Sequence, residues 1–339
     1  MTSSDGSHRV GTLTKIPTHQ GRLMDIDLIG RIANIQLSKQ KPLIPLLEAV
    51  INSIQSIEAR KTKRGFITIT IVREEVAQDT LDHTTDMRPV KSFLIEDNGV
   101  GFTAANYKSF RTSDTKTKPG AKGIGRFMWL KAFESVKIDS VFSDEGGFHQ
   151  RKFDFVLSKN GVENHELRPT SSGEPITRVT LEQYKPPYQE HCPRSIHTIA
   201  ERIIDHCLIY FLGKDCPQIT LRDAVEKISL NKLYEDSVKG KSNTVTFNIK
   251  DEAFTMVNLR LYLSDDKQDL VHLCANDRDV KSIHLVKRIP DLKAKLYDED
   301  QVPFRYAGYV SGNYLDENVN PERTDFFIPI EAEEDDFVW

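Results

Sequence analysis

Three short stretches decide the fold: Glu-Ala-Val-Ile-Asn at 48–52, Asp-Asn-Gly-Val-Gly at 97–101 and Gly-Ala-Lys-Gly-Ile-Gly at 120–125. Each stretch alone is a weak signal, because short motifs recur by chance. The three together, in this order along one chain, are a strong signal for a single kind of site.

The first stretch lies in a predicted helix over residues 43–60. Its apolar residues recur at helical spacing and predict a buried face. Glu48 and Asn52 are four residues apart, so they share one face beside the apolar arc. The solvated side is assigned to Ala49, Ser53, Ser56 and Arg60. The Asn52 oxygen suits a hard cation such as Mg²⁺, and Glu48 suits a general base; a plain surface pair is the alternative.

The second stretch turns sharply out of a strand predicted over residues 90–96. Gly99 and Gly101 permit a positive φ and let a ligand approach the backbone closely. A buried Asp97 needs a hydrogen-bond donor, and the amino group of adenine is such a donor. A tight hairpin turn is the alternative interpretation.

The third stretch is a glycine-rich loop that leads into an apolar helical run over residues 127–133. Backbone N–H groups of such a loop, together with the helix N-terminus, form an anion site. Positive charge is added by Lys116, Lys118, Lys122 and Arg126. Dinucleotide-binding loops have a similar spacing, but a polar loop over residues 113–119 leads into this one where such proteins have a strand.

Together, the motifs Glu-x-x-x-Asn, Asp-x-Gly-x-Gly and Gly-x-x-Gly-x-Gly resemble those of the GHKL ATPase superfamily. That group includes gyrase B, the ninety-kilodalton class of heat-shock chaperones, MutL, MORC proteins and histidine kinases. A fourth family element, Thr-x-Val-x-Leu, is similar to residues 177–181. The resemblance covers residues 25–185 and is nearest in style to the chaperone-, MutL- and MORC-like branches.

The resemblance implies a role for each motif residue. Glu48 would activate the attacking water, and Asn52 would hold Mg²⁺. Asp97 would bind adenine with the help of Thr177, and residues 111–122 would form a mobile lid. The other implied ATP-binding residues are Gly99, Gly101, Lys116, Gly120, Lys122, Gly123, Ile124 and Gly125.

Two further positions are compared with the same family. Residues 313–326 are similar to a transducer segment in which a basic residue approaches the γ-phosphate, which makes Arg323 a second catalytic candidate. A surface arginine paired with Glu322 or Asp325 is the alternative. Gln55 departs from the family, because many members have Asp there, and no role is assigned to it.

The implied fold class is α+β. Residues 25–185 are predicted to form a two-layer α/β sandwich, the Bergerat ATP-binding fold, with helices at 25–60 and 124–133 covering one face of a sheet. A linker over 184–188 would lead to a transducer-like α+β domain over 190–330, with a helix at 195–212. Residues 1–24 are predicted to be a flexible arm, and 331–339 an acidic tail.

Composition limits the classes of function. The chain has 339 residues, 38% of them hydrophobic, and a formal net charge of −4, so it is not a polycation built to coat nucleic acid. Its four cysteines form no Cys-x-x-Cys pair, which favours scattered free thiols over a zinc site. No segment has the ~20 apolar residues of a membrane span. We expect a cytoplasmic protein without membrane contact.

The leading hypothesis is an ATP hydrolase that uses ATP and Mg²⁺ to drive lid closure and homodimerisation, acting on a protein or DNA client. A basic cluster at 60–64 suits DNA, although a solvated helix end, whose cations favour the C-terminal dipole, is the simpler explanation. A histidine-kinase-like phosphotransferase is one alternative, and no phospho-acceptor histidine box precedes Glu48 to support it. A non-hydrolysing, ATP-gated binding module is the other.

Overall fold

The computed structural model describes residues 28–75, 87–112, 125–171, 173–213, 215–238, 242–262, 268–275, 278–289, 291–292, 295–319 and 325–328. Several predicted features lie outside these residues. They are the N-terminal arm, the acidic tail, most of the proposed lid, and the site candidates Lys116, Gly120, Lys122, Gly123, Ile124 and Arg323.

An eight-stranded sheet forms the first layer, in the order β5-β4-β3-β6-β2-β1-β7-β8. Neighbouring strands run antiparallel, except that β1 and β7 run parallel. The strands are β1 Phe66–Arg73, β2 Val90–Asp97, β3 Phe133–Asp144, β4 Gly147–Val156, β5 Val162–Pro169, β6 Ile176–Tyr184, β7 Gln218–Arg222 and β8 Lys227–Ser229. Side chains on β1 alternate between buried Ile and half-exposed Thr, which fits a sheet covered on one face.

Helices cover that face and confirm the predicted two-layer α/β sandwich. They are α1 Leu28–Asn34, α2 Ile44–Arg60, α3 Ala104–Arg111 and α4 Gly125–Ala132. The central helix, α2, packs against β1, β2 and α4. It has Pro45 in its first turn, where proline is tolerated, and ends where Lys61 takes a left-handed conformation with φ 54°.

The buried face of α2 is wider than the sequence predicted. Ala49 and Ser53, which were assigned to the solvated side, are 3% and 4% exposed. Ala49 and Ser53 lie three and seven residues after Leu46, so they continue the same helical stripe towards the sheet. The assignment of these two residues to solvent was therefore wrong.

The predicted linker at 184–188 is part of the core instead. Tyr184 and Tyr188 are both buried, and the chain between them begins the short helix α5, Pro186–Gln189. The Tyr184 hydroxyl donates a 2.7 Å hydrogen bond to the carbonyl of Pro42, which leads into α2. Two large aromatic side chains at this spacing anchor the segment, so it cannot act as a free tether.

Residues after 190 complete the first sheet. The predicted helix over 195–212 is two helices that meet at Cys207, α6 Ile196–His206 and α7 Leu208–Leu212, and α8 is Leu230–Val238. In the sequence, β7 comes between α7 and α8, and it pairs with β1 in the sheet. A buried ion pair holds this junction, since Arg73 Nη2 lies 2.8 Å from Asp223 Oδ2 and both side chains are 2% exposed.

A second sheet follows, in the order β12-β11-β14-β10-β9, with β13 paired to β14. Its elements are β9 Ser242–Ile249, β10 Glu252–Leu261, β11 Leu270–Ala275, β12 Arg278–His284, β13 Leu296–Tyr297, β14 Pro303–Ser311 and the helix α9 Asn313–Asn318. The α+β class is therefore confirmed. The division into two domains stays a prediction, and β7, placed by it in the second domain, belongs to the first sheet.

Two further observations concern the chain as a whole. All four cysteines are free thiols, and Cys192, Cys207 and Cys274 are buried. Within the ranges that the structure covers, no helix has both the length and the apolar character needed to cross a bilayer.

Candidate functional site

The site is built around the carboxylate of Asp97, the last residue of β2. Asp97 is 3% exposed and faces the helix layer. Its Oδ2 accepts a 2.8 Å hydrogen bond from the Ser53 hydroxyl, and its Oδ1 accepts one of 2.9 Å from the Gly99 N–H. Burial raises the pKa of Asp97 to about 6, although these two hydrogen bonds act in the opposite direction.

A row of polar side chains continues from Asp97 across the sheet. Thr177 on β6 pairs directly with Asp97, and Ser140 on β3 pairs with Thr177. The Thr177 and Ser140 hydroxyl oxygens are 2.9 Å apart and share a hydrogen bond. The Phe102 N–H also donates to Ser140 Oγ, at 2.9 Å. Three adjacent strands therefore place a carboxylate and two hydroxyls side by side on the same face of the sheet.

Gly101 packs against the two hydroxyls from the side of the turn. It has φ +71°, a conformation that glycine adopts without strain. A Cβ placed on Gly101 would lie 2.7 Å from Ser140 Oγ and 3.2 Å from Thr177 Oγ1. The backbone of the turn thus lies directly against the two hydroxyls, and only glycine fits there.

The rest of the turn is fixed to α2 and to the start of β1. The Asn98 side chain accepts a 2.8 Å hydrogen bond from the Phe66 N–H and donates one of 2.9 Å to the Arg64 carbonyl. Gly99 approaches α2 so closely that a Cβ there would overlap Ser56. The chain then enters α3 and not a neighbouring strand, so the hairpin alternative for residues 97–101 is wrong.

A second group of predicted residues lies nearer the start of α2. Glu48 precedes Ser53 by five residues, which places it about 7–8 Å nearer the start of the helix. Burial raises the pKa of Glu48 above the ordinary range of a glutamate. Its carboxylate lies against Gly125, the first residue of α4, where a Cβ would overlap it. Glu48 therefore faces the start of the helix that follows the glycine-rich stretch.

Asn52 is one helical turn after Glu48 and is exposed. Its carboxamide oxygen is a neutral hard donor of the kind that Mg²⁺ accepts alongside phosphate oxygens and water. The residues present therefore fit a magnesium ion held by one protein oxygen. A cage of three or more acidic, His or Cys side chains is absent from the described parts of the chain.

The structure brings together most of the described predicted residues. Asp97, Gly99, Gly101 and Thr177 lie together around the end of β2, and Glu48 contacts Gly125 about 7–8 Å nearer the start of α2. Asn52 lies between these two groups along the helix, directly before Ser53. The phosphate-side candidates of the glycine-rich stretch, other than Gly125, lie outside the described residues.

Two side chains of the site were missed from the sequence. Ser53 was assigned to solvent, although its spacing from Leu46 and Ala49 already indicated the buried stripe. Ser140 could have been found only from strand pairing, because it lies 37 residues before Thr177 and meets it across β3 and β6. Nothing in its local sequence distinguishes it from an ordinary strand serine.

Comparison with solved structures finds ATPase regions. The chain is similar to the ATPase region of topoisomerase II from Saccharomyces cerevisiae, solved alone and bound to ICRF-187 (dexrazoxane); both matches have 12% identity and a TM-score of 0.43, and cover 80% of this chain and 73% of that one. It is also similar to the MutL ATPase domain from Aquifex aeolicus in complex with ADP. That match has 12% identity and a TM-score of 0.44, and covers 80% of this chain and 92% of that one.

These matched proteins are GHKL ATPases, the superfamily that the sequence motifs resemble. Matches at this identity and TM-score describe a broad likeness in the path of the chain. No family model matches the sequence, and no curated protein matches it either.

Proposed function

We propose that this protein binds ATP in the space between Asp97 and Glu48 and hydrolyses it with Mg²⁺. The observation that carries the proposal is the buried Asp97 carboxylate, held at the end of β2 by Ser53 and Gly99. A buried carboxylate with two hydrogen bonds keeps acceptor capacity for another donor. The amino group of adenine is a donor of the right kind.

The two hydroxyls beside Asp97 suit the neighbouring edge of the same base. Ser140 Oγ already accepts the Phe102 N–H, so its own hydrogen can point to Thr177 Oγ1. The Thr177 hydroxyl hydrogen is then available to a ring nitrogen next to the amino group. Asp97 would accept from the 6-amino group of adenine, and Thr177 would donate to the adjacent ring nitrogen. Guanine and hypoxanthine have a carbonyl and a protonated nitrogen at these two positions, so they do not match this pattern.

Glu48 supports hydrolysis over binding alone. A general base works best when its pKa lies near the operating pH, and burial moves the pKa of Glu48 in that direction. Bound Mg²⁺ would neutralise phosphate charge, with Asn52 as its protein ligand. Glu48 would accept the proton of the attacking water as that water approaches the γ-phosphate.

The proposed phosphate-binding residues lie outside the described ranges. Lys116, Gly120, Lys122, Gly123 and Ile124 would bind the phosphates, and Arg323 would stabilise the charge that develops on the γ-phosphate. Closure of residues 111–122 over the nucleotide and homodimerisation would follow ATP binding. The client would be a protein or DNA.

Nucleotide binding by Asp97→Asn tests the adenine assignment. We expect wild type to prefer ATP over inosine triphosphate, measured calorimetrically with Mg²⁺. Asp97→Asn should lose about a hundredfold in ATP affinity and most of the discrimination, because its amide can donate to the inosine carbonyl.

The matched control is Glu96→Gln. Glu96 is the adjacent residue of β2 but lies on the opposite face, where it forms an ion pair with Arg178 at 2.6 Å. This variant should bind ATP like wild type. Equal ATP affinity in wild type and Asp97→Asn would exclude the assignment.

A further inference from the structure

The edges of the two sheets differ in how they are protected. An edge strand presents unpaired backbone N–H and C=O groups, and proteins usually guard it with charged residues, proline or shortness. In the described ranges, β5 follows this rule with Glu166 and Pro169, and β12 with Asp279 and Lys281. The edge strand β8 is only three residues long.

The fourth edge strand, β9, has none of these protections. Its sequence at 242–249 is Ser-Asn-Thr-Val-Thr-Phe-Asn-Ile, with no charge and no proline over eight residues. Among the described strands it pairs only with β10. Val245 and Ile249 are 43% and 57% exposed. A long, uncharged and accessible edge of this kind is a template for another strand.

The two faces of β9 differ in polarity. The odd-numbered positions after Asn243 are apolar, and the even-numbered positions carry Ser, Thr, Thr and Asn. The apolar face continues onto β10, because Phe247 stacks on Phe254 with ring centroids 5.8 Å apart. Phe254 in turn belongs to a small apolar cluster with Val310 and Leu315. A strand added at β9 would extend this apolar face.

We propose that the strand which pairs with β9 is β9 of a second copy of this chain, antiparallel and related by a two-fold axis at Thr246. An uncharged strand meets itself without like-charge repulsion, and a self-complementary edge is what a two-fold interface requires. The five strands β12-β11-β14-β10-β9 would then continue across the axis into the same strands of the second copy.

The register follows from the pattern of side chains. A two-fold axis perpendicular to the sheet keeps each side chain on its own face, so directly paired residues differ by an even number. Centring on Thr246 pairs Val245 with Phe247 of the second copy, and Phe247 with Val245, which gives two apolar cross-strand pairs. Centring on Val245 would instead pair Phe247 with Asn243, and centring on Phe247 would limit the pairing to residues 245–249 of the strand.

The contact is expected to be weak. One strand pairing is smaller than the interfaces that hold stable dimers, so association should be visible at protein concentrations on the order of 100 μM. It should not need nucleotide, because β9 belongs to the second sheet, whereas Asp97 lies at the end of β2 in the first sheet.

A cysteine placed on the axis tests the register. In Thr246→Cys the two new thiols face each other across an antiparallel pair, where Cα atoms are about 4.5–5.5 Å apart, within the range of a disulfide. Mild oxidation should yield a cross-linked dimer. Thr244→Cys is the control, since its two copies are about 13 Å apart along the strands and should not cross-link, and neither should wild type.

A charge on the axis tests the interface without a cross-linking reaction. Thr246→Lys places two lysines opposite each other and should raise the dimer Kd at least about fivefold in sedimentation equilibrium. Thr244→Lys adds the same charge opposite Asn248 and should change the Kd less. Thr246 is exposed, so both variants should fold, with ATP binding as the check.

Three results would overturn the proposal. The first is a wild type that stays monomeric at the highest concentration, as it would if β9 served a peptide of another protein. The second is equal sedimentation of wild type and Thr246→Lys. The third is cross-linking of Thr244→Cys as readily as Thr246→Cys. None of them affects the proposed ATP site, which is tested by nucleotide binding alone.

Discussion

The hydroxyl of Ser53 donates a 2.8 Å hydrogen bond to Oδ2 of Asp97 and so joins the middle of α2 to the end of β2. Because the Gly99 N–H holds the other oxygen, the carboxylate is fixed from the helix layer and from its own turn at once. The orientation of Asp97 therefore depends on the contact between the two layers of the sandwich.

Removing the Ser53 hydroxyl should weaken both the fold and the site. At pH 8, above the pKa of about 6, Ser53→Ala leaves a buried, ionised carboxylate with one hydrogen bond fewer, which should lower the free energy of unfolding by about 1.5–3 kcal/mol. Urea denaturation at pH 8 measures this loss. Ser56→Ala, one turn later on α2, removes a hydroxyl that does not contact Asp97 and should change stability by less than about 0.5 kcal/mol; equal losses would contradict the role of Ser53.

The raised pKa of Asp97 makes stability depend on pH. A folded-state pKa of about 6, above the ordinary 3.8, means that the folded protein binds this proton more tightly than the unfolded chain. Wild type should therefore lose about 3 kcal/mol from this group as the pH rises from about 4 to about 6. Asp97→Asn does not titrate, so its stability relative to wild type should rise over this window and then level off. A difference that is constant with pH would contradict the raised pKa.

A side chain at Gly101 should destabilise the turn for two reasons. The positive φ costs an L-residue about 1–2 kcal/mol, and the new methyl group would press on the Ser140 hydroxyl. We expect Gly101→Ala to lower the free energy of unfolding by about 2–4 kcal/mol in total. A loss within the about 1–2 kcal/mol of the backbone cost alone would show that the turn does not lie against the sheet.

Local patterns in the sequence were enough to predict the main elements around the site. The apolar spacing of residues 43–60 and the Ile-Thr alternation of 66–72 gave α2 and β1 nearly to the residue. Both patterns arise from the burial of one side of one element, so they can be read without knowing the neighbours.

Contacts that depend on which elements meet could not be predicted. Ser140 meets Thr177 only because β3 pairs with β6 in one register, and no local rule sets that register. The tyrosines at 184 and 188 suggested a linker because prolines lie between them, yet both rings are buried by distant parts of the chain. The attachment of β7 to β1 is a parallel pairing between residues 152 positions apart, which the predicted domain boundary concealed.

ATP turnover by Glu48→Ala distinguishes hydrolysis of ATP from nucleotide binding alone. Wild type, Glu48→Ala and the exposed control Glu58→Ala on the same helix would be compared with Mg²⁺, following labelled-ATP binding and phosphate release together. The account predicts equal binding in all three, turnover in wild type and Glu58→Ala, and a loss of about 10²-fold or more in Glu48→Ala. Turnover by Glu48→Ala within about twofold of wild type, with binding intact, would contradict the account.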